Sequence, residues 1–270
     1  MYVGFELKYL DFEDFEDFFE IGRKSFNKHK RRVNRTLENF MNVDGSLNGD
    51  KMQSGWFPEI KADIFLSHSH ADKDLVIAFA GWLKDTFDLE VFIDSCIWNH
   101  SKVLQEMIDK EHSISWSDAN GKEWIDYDKV QYSTSHVHMM LNTALMQMID
   151  ASECIIFVNT PHSVKSGEVI NKVVSPWIYS ELAMTKLVRK KELKEYRMQP
   201  LLESERTYSA KNKRIEYNLK TEHLIDLSID DLNEWEESYK SLPGYFKRKL
   251  TYINKSALDY MYKLKEVDQI

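Results

Sequence analysis

The sequence predicts an α/β fold in which a central parallel sheet is flanked by helices, and three stretches carry that reading. The first is a strand, helix and strand in succession. Asp63-Ile64-Phe65-Leu66-Ser67 is a short apolar run. Leu75, Val76, Phe79, Trp82 and Leu83 then fall at helical spacing, and Leu89-Glu90-Val91-Phe92-Ile93-Asp94 is apolar again. That order over about 30 residues is a βαβ unit, which requires parallel pairing. The second is Cys154-Ile155-Ile156-Phe157-Val158, apolar throughout, as a strand covered on both faces should be. The third is Ser175-Pro176-Trp177-Ile178-Tyr179-Ser180-Glu181. Ser175 suits a helix N-cap, and Pro176 suits the first helical position, where no N–H is needed.

Other segments follow in order. Residues 1–60 read as an N-terminal helical extension. Apolar residues recur irregularly over 12–41, as in one or two helices, and 42–55 holds Gly45, Gly49 and Gly55, as in a loop. The basic patch Lys28-His29-Lys30-Arg31-Arg32 reads as a solvated helix face. The extension either packs on the main domain or offers a partner surface. Residues 61–270 form that domain. A long insertion at about 96–135 carries Trp98, Trp116, Trp124, Tyr127 and Tyr132, a short helix at 103–109 and an Asn120-Gly121 turn. A helix is expected at 137–151, strands at 197–202 and 223–227, and C-terminal helices at 229–239 and 245–267.

Composition narrows the function. The chain has 270 residues, 43% of them hydrophobic and 13% aromatic, enough for a substantial core. A formal net charge of −8 disfavours nucleic acid as a partner. No run approaches the 18 or so uncharged apolar residues that span a bilayer, so no membrane partner is expected. Cys96 and Cys154 have no metal or redox spacing and read as small buried residues of a reducing compartment. The acidic, aromatic start of the chain is unlike a signal peptide. The expected location is the cytoplasm.

Parallel sheets bind ligands outside the carboxyl ends of their strands. Residues 67–74 and 94–98 would therefore face the crevice. On the helix that starts at Ser175, Trp177 and Glu181 are four residues apart, and Met184 and Val188 continue the same face. A carboxylate inside an apolar stripe is costly unless it is paired or used. Its plain reading is a Glu at the edge of a core face, reaching water or an Arg. GxSxG, Walker and GxGxxG signatures are all absent, so no glycine cradle would hold a nucleotide. His68-Ser69-His70-Ala71-Asp72 resembles the HxHxD metal site of metallo-β-lactamase-type hydrolases, which would make the chain a metal-dependent hydrolase using His68, His70 and Asp72. Lys73 stands where those proteins carry a further His, and a cation there repels a metal. His136 and His138, at a helix start, read as surface or supporting residues.

Four segments, in order, resemble a TIR (Toll/interleukin-1 receptor) domain: Asp63-Ile64-Phe65-Leu66-Ser67-His68-Ser69-His70, Leu89-Glu90-Val91-Phe92-Ile93-Asp94, Ile149-Asp150-Ala151-Ser152-Glu153-Cys154-Ile155-Ile156-Phe157-Val158 and Ser175-Pro176-Trp177-Ile178-Tyr179-Ser180-Glu181-Leu182. The resemblance covers about 61–190 well and 191–265 loosely. It implies a flavodoxin-like fold and the prokaryotic, NAD-consuming, antiphage-defence type of TIR protein. The activity implied is cleavage of the nicotinamide–ribose bond, as an NAD glycohydrolase or ADP-ribosyl cyclase. NAD is then the substrate and no cofactor is needed. Glu181 would be the catalytic carboxylate, stabilising an oxocarbenium-like ribose. Trp177, Phe65, Ser67, His68, Asp94, Ser95, Asn159 and Thr160 would border the substrate. The resemblance also implies self-association through the domain and a separate effector protein that responds to the product. A TIR module acting by assembly alone, without catalysis, is the alternative.

Overall fold

The structure is a computed structural model that describes residues 1–30, 37–117, 123–164, 172–173, 175–197, 217–218, 221–242 and 256–267. In chain order the elements are β1 (Val3–Lys8), α1 (Phe19–Lys30), α2 (Gly49–Trp56), β2 (Ile64–Ser67), α3 (Lys73–Phe87), β3 (Val91–Ile93), α4 (Ser95–His112), β4 (Ile114–Ser117), β5 (Glu123–Ile125), α5 (Tyr127–Ala151), β6 (Cys154–Asn159), β7 (Lys172–Val173), α6 (Pro176–Leu187), α7 (Leu193–Arg197), β8 (Tyr217–Asn218), β9 (Ile225–Leu227), α8 (Ile229–Lys240) and α9 (Ala257–Leu264). Five strands make an all-parallel sheet in the order β3-β2-β6-β1-β9. Counted from β2, this is the flavodoxin-like order with its fourth place taken by β1. As expected of a strand covered on both faces, β6 lies inside, and its residues from Cys154 to Val158 are fully buried.

The expectation of a purely helical extension over residues 1–60 is corrected at its start. Val3, Phe5 and Leu7 alternate with Gly4, Glu6 and Lys8, and β1 pairs with β6 on one side and β9 on the other. The alternation is the strand signal; reading apolar positions from Phe12 onward misses it. Next, α1 crosses α3 at two glycines. A Cβ on Gly22 would lie 1.8 Å from the Ile77 carbonyl oxygen, and one on Gly81 would lie 2.0 Å from that of Phe18. The backbones touch, so α1 belongs to the core. Within 42–55, read as loop, α2 begins at Gly49, with Asn48 accepting from the Lys51 N–H at 2.9 Å.

The stretch at 96–135 is more regular than expected. α4 runs unbroken from Ser95 to His112, and β4 and β5 form an antiparallel pair. α5 starts at Tyr127, where Asp126 accepts from the N–H groups of Asp128 and Lys129. At the carboxyl end of the chain, the Trp235 ring of α8 stacks on Phe87 at 3.8 Å and its Nε1 donates to the Ala257 carbonyl at 3.0 Å, tying α8 and α9 to α3. The strand expected at 197–202 and the helical residues 245–255 lie outside the described residues, apart from Arg197, which ends α7. Cys96 and Cys154 are buried and form no disulfide. No helix among the described residues is long and apolar enough to cross a membrane.

Candidate functional site

Strands β2 and β3 run level, with Leu66 opposite Ile93. The next residues, Ser67 and Asp94, therefore emerge side by side at the carboxyl edge of the sheet. α6 delivers the third member. Ser175 caps it, accepting from the Ile178 N–H at 3.4 Å, and Pro176 takes the first turn. Ile178 and Leu182 anchor α6 through a cluster with Phe157, Val164 and Leu224. Between those anchors Glu181 points at β2. Ser67 Oγ donates to Glu181 Oε2 at 2.5 Å, and the Asp94 carboxyl is near enough for its charge to act on Glu181. His68 Nδ1 is 2.7 Å from Asp94 Oδ1, without the alignment of a hydrogen bond. Ser67, His68 and Asp94 are 0% exposed and Glu181 2%, so the network is sealed from water.

Burial sets the charges. It raises the Glu181 pKa well above the usual carboxyl range; the Asp94 charge raises it further, while Ser67 and His68 oppose. Burial likewise raises Asp94, against the N–H of Ser95 that it accepts. Both carboxyls are thus pushed toward their neutral forms. Burial also pushes His68 down to about 4, against the pull of Glu181 and Asp72. The imidazole is neutral at pH 7.

Unpartnered polar atoms gather at the same place. Both His68 ring nitrogens, Asp94 Oδ2, Ser95 Oγ, Trp98 Nε1 and Glu181 Oε1 are buried with no hydrogen-bond partner among the described residues. Folded proteins satisfy nearly all such atoms, so a cluster of them calls for an explanation. Ser95 Oγ, Trp98 Nε1, the imidazole and the two carboxyl oxygens are donors and acceptors available to a polar ligand. Trp98, on the first turn of α4, covers them. Its ring stacks on His68 at 5.9 Å and 8° and on His70 at 5.7 Å and 29°.

The other candidate residues scatter around this centre. Phe65 packs against Phe92 at 5.3 Å in the core beneath Ser67, closed to a ligand. Ser95 donates its N–H to Asp94 Oδ1 at 2.6 Å and belongs to the network. Trp177 is half-buried and packs on α5, meeting His138 edge-on at 5.5 Å. Asn159 turns to β1 and donates to Glu6 Oε1 at 2.6 Å. Thr160 donates to Asp72 Oδ2 at 2.5 Å, and His162 Nδ1 lies 2.6 Å from Asp72 Oδ1. Asp72 is thus engaged by Thr160 and His162. The described residues contain no group of three or more His, Cys, Asp or Glu able to hold a metal. Sequence reasoning missed the Asp72–His162 pair, whose members stand 90 residues apart. It also missed the role of Trp98 as cover, although 94–98 was expected at the crevice. The concavity lined by Phe15, Phe18, Trp82, Leu232, Asn233 and Glu236 shares no residue with this cluster. No family model, curated protein or solved structure matches the chain.

Proposed function

We propose that the chain cleaves the nicotinamide–ribose bond of NAD, with Glu181 as the catalytic carboxylate. The observation that carries the reading is the buried Glu181 carboxyl, held by Ser67 at the carboxyl edge of the sheet and ringed by unpartnered polar atoms of His68, Ser95 and Trp98. The four TIR-like segments of the sequence support it, since Ser67, His68, Asp94 and Glu181 all fall within them.

The chemistry fits a cationic leaving group. A pyridinium ring brought beside the carboxyl pair favours its ionised form, because an opposite charge within a few ångströms lowers a carboxyl pKa. As Trp98 moves aside and substrate enters, Glu181 gives up its proton to solvent water and faces the ribose carbon as an anion. As the C–N bond lengthens, that anion stabilises the oxocarbenium-like centre. Nicotinamide leaves neutral, so no acid is required. Water as acceptor gives ADP-ribose, and a nucleophile from the adenine end gives a cyclic isomer. Either outcome suits antiphage defence, by depleting NAD or by making a nucleotide signal for a separate effector. For substrate to enter, Trp98 must leave its place over His68.

The test is product analysis by mass spectrometry after incubation with NAD. Wild type should release nicotinamide with ADP-ribose or a cyclic isomer, and Glu181→Ala and Glu181→Gln should lose at least about 100-fold of the rate. Activity that survives both changes contradicts the assignment.

A second reading, an assembly module without catalysis, draws on one observation. Trp116, Trp124, Ile125, Tyr127 and Tyr132 are all exposed on the β4–β5 hairpin and the start of α5. Exposed aromatic surface of this kind serves self-association. Sedimentation of wild type against Trp116→Ser would show a shift to smaller species if this hairpin joins copies of the chain.

A further inference from the structure

Hydrolysis of NAD leaves one role without a residue. Glu181 faces the ribosyl centre as its stabilising anion, and water that adds there must shed a proton as its bond forms. Asp72 and His162 have the form of a base for that step. Asp72 is 6% exposed and engages both carboxyl oxygens: Thr160 Oγ1 donates to Oδ2 at 2.5 Å, and His162 Nδ1 lies 2.6 Å from Oδ1. The His162 side chain is 63% exposed. A carboxylate at Nδ1 keeps the ring proton there, which makes Nε2 the nitrogen with a lone pair to accept another. The His162 backbone N–H donates to Thr160 Oγ1 at 3.1 Å, fixing the turn that carries the ring.

This dyad stands at the same sheet edge as Glu181. β2 and β6 pair with Ser67 opposite Phe157, so the segments that leave them emerge side by side. Ser67 holds Glu181, and Asp72, a little further along the same segment, holds His162. Five residues reach at most about 18 Å when extended, and the 3-10 turn at His70–Asp72 shortens this stretch. The two groups held here come from segments that pack on each other. Val164, just beyond His162, shares a buried cluster with Ile178 and Leu182, which flank Glu181 on α6. His68 lies within reach of the charges of both Glu181 and Asp72.

We propose that His162, oriented by Asp72, is the general base that activates the water attacking the ribosyl centre. The inference rests on the NAD reading above. The step balances within the site. The C1′–N bond breaks and its electron pair leaves with neutral nicotinamide. A water oxygen then bonds to C1′ while one of its O–H bonds breaks, and that proton passes to His162 Nε2. The imidazolium, paired with Asp72, returns the proton to solvent. The net reaction is NAD plus water to nicotinamide, ADP-ribose and a proton.

The experiment follows two reactions of the full chain with NAD: formation of ADP-ribose, and exchange of isotope-labelled nicotinamide into NAD. Exchange is the return of nicotinamide to the ribosyl centre; it needs Glu181 but no base, because no proton moves. His162→Ala, and His162→Gln, which keeps a donor for Asp72, should each lower ADP-ribose formation about 100-fold while exchange persists. Where wild type shows no exchange, azide decides. This nucleophile has no proton to lose and should restore nicotinamide release to both variants; absence of rescue overturns the inference. ADP-ribose formation unchanged in the variants, or falling in step with exchange, overturns it and leaves the NAD reading standing. So does a wild type that yields only a cyclic isomer, since no water is then activated. A wild type that shows neither product nor exchange overturns the NAD reading and this inference with it.

Discussion

Ser67 and Glu181 stand 114 residues apart in sequence and are joined by a 2.5 Å hydrogen bond from the last residue of β2 to the second turn of α6. The bond fixes one carboxyl oxygen and leaves the other, Oε1, without a hydrogen-bond partner among the described residues. It also works against the burial that raises the Glu181 pKa. Ser67→Ala should therefore raise that pKa further. Nicotinamide release from NAD should fall about tenfold at neutral pH, with its limb moved to higher pH, and stability should drop by about 1–2 kcal/mol. Steady-state rates across pH, with urea unfolding as control, check it.

The raised pKa values of the two buried carboxyls should also be visible in stability. Glu181 and Asp94 have raised pKa values, so the folded state binds a proton that the unfolded chain releases. For a carboxyl raised in this way, the stabilisation is complete below the unfolded pKa and is lost as pH rises through the folded one. Wild type should therefore weaken toward alkaline pH. Glu181→Gln replaces the protonated form with a neutral group of the same shape, and should exceed wild type at pH 9 by more than about 1 kcal/mol. Urea titrations at pH 6 and pH 9 measure the difference.

His68 acts in the opposite direction. Its pKa is lowered from 6.5 to about 4, so the folded state holds it neutral while the unfolded chain protonates it. Its contribution is present above the unfolded value and falls away as pH drops toward the folded one. The change is bounded by roughly 3 kcal/mol. His68→Gln should flatten the stability profile in that acid window, which thermal unfolding from pH 4 to 7 would reveal.

The N-terminal segment offers a mechanical test. A methyl at position 22 would lie 1.8 Å from the Ile77 carbonyl oxygen, on backbone that cannot swing aside. Gly22→Ala should lower stability by about 2 kcal/mol or more, despite the better helix propensity of Ala. An exposed extension would instead gain slightly. Denaturant unfolding distinguishes the two.

How far the sequence disclosed this arrangement depended on whether the signal was local. The runs at 63–67, 89–94 and 154–158 lie within their own segments, and all three are strands. Ser175 and Pro176 likewise mark the start of α6. β1 carries a local signal, the alternation of Val3, Phe5 and Leu7 with Gly4, Glu6 and Lys8, which reading from Phe12 onward passed over, and its place between β6 and β9 is a long-range fact. α4 was hidden by polar residues scattered among its apolar ones. In the candidate site, Ser67, His68, Asp94 and Ser95 were expected at one crevice because each lies at a strand end, and the TIR resemblance added Glu181 to them. The turning of Asn159 to Glu6 and of Thr160 to Asp72 was not legible, since side-chain direction is decided by partners far away in sequence.

The claim at the centre is that Glu181 cleaves NAD. Nicotinamide release from NAD by the full chain, wild type against Glu181→Gln, tests it most directly. Release by wild type, lost at least about 100-fold in the variant while its fold stays intact, is the expected result. Equal rates in the two proteins would contradict it.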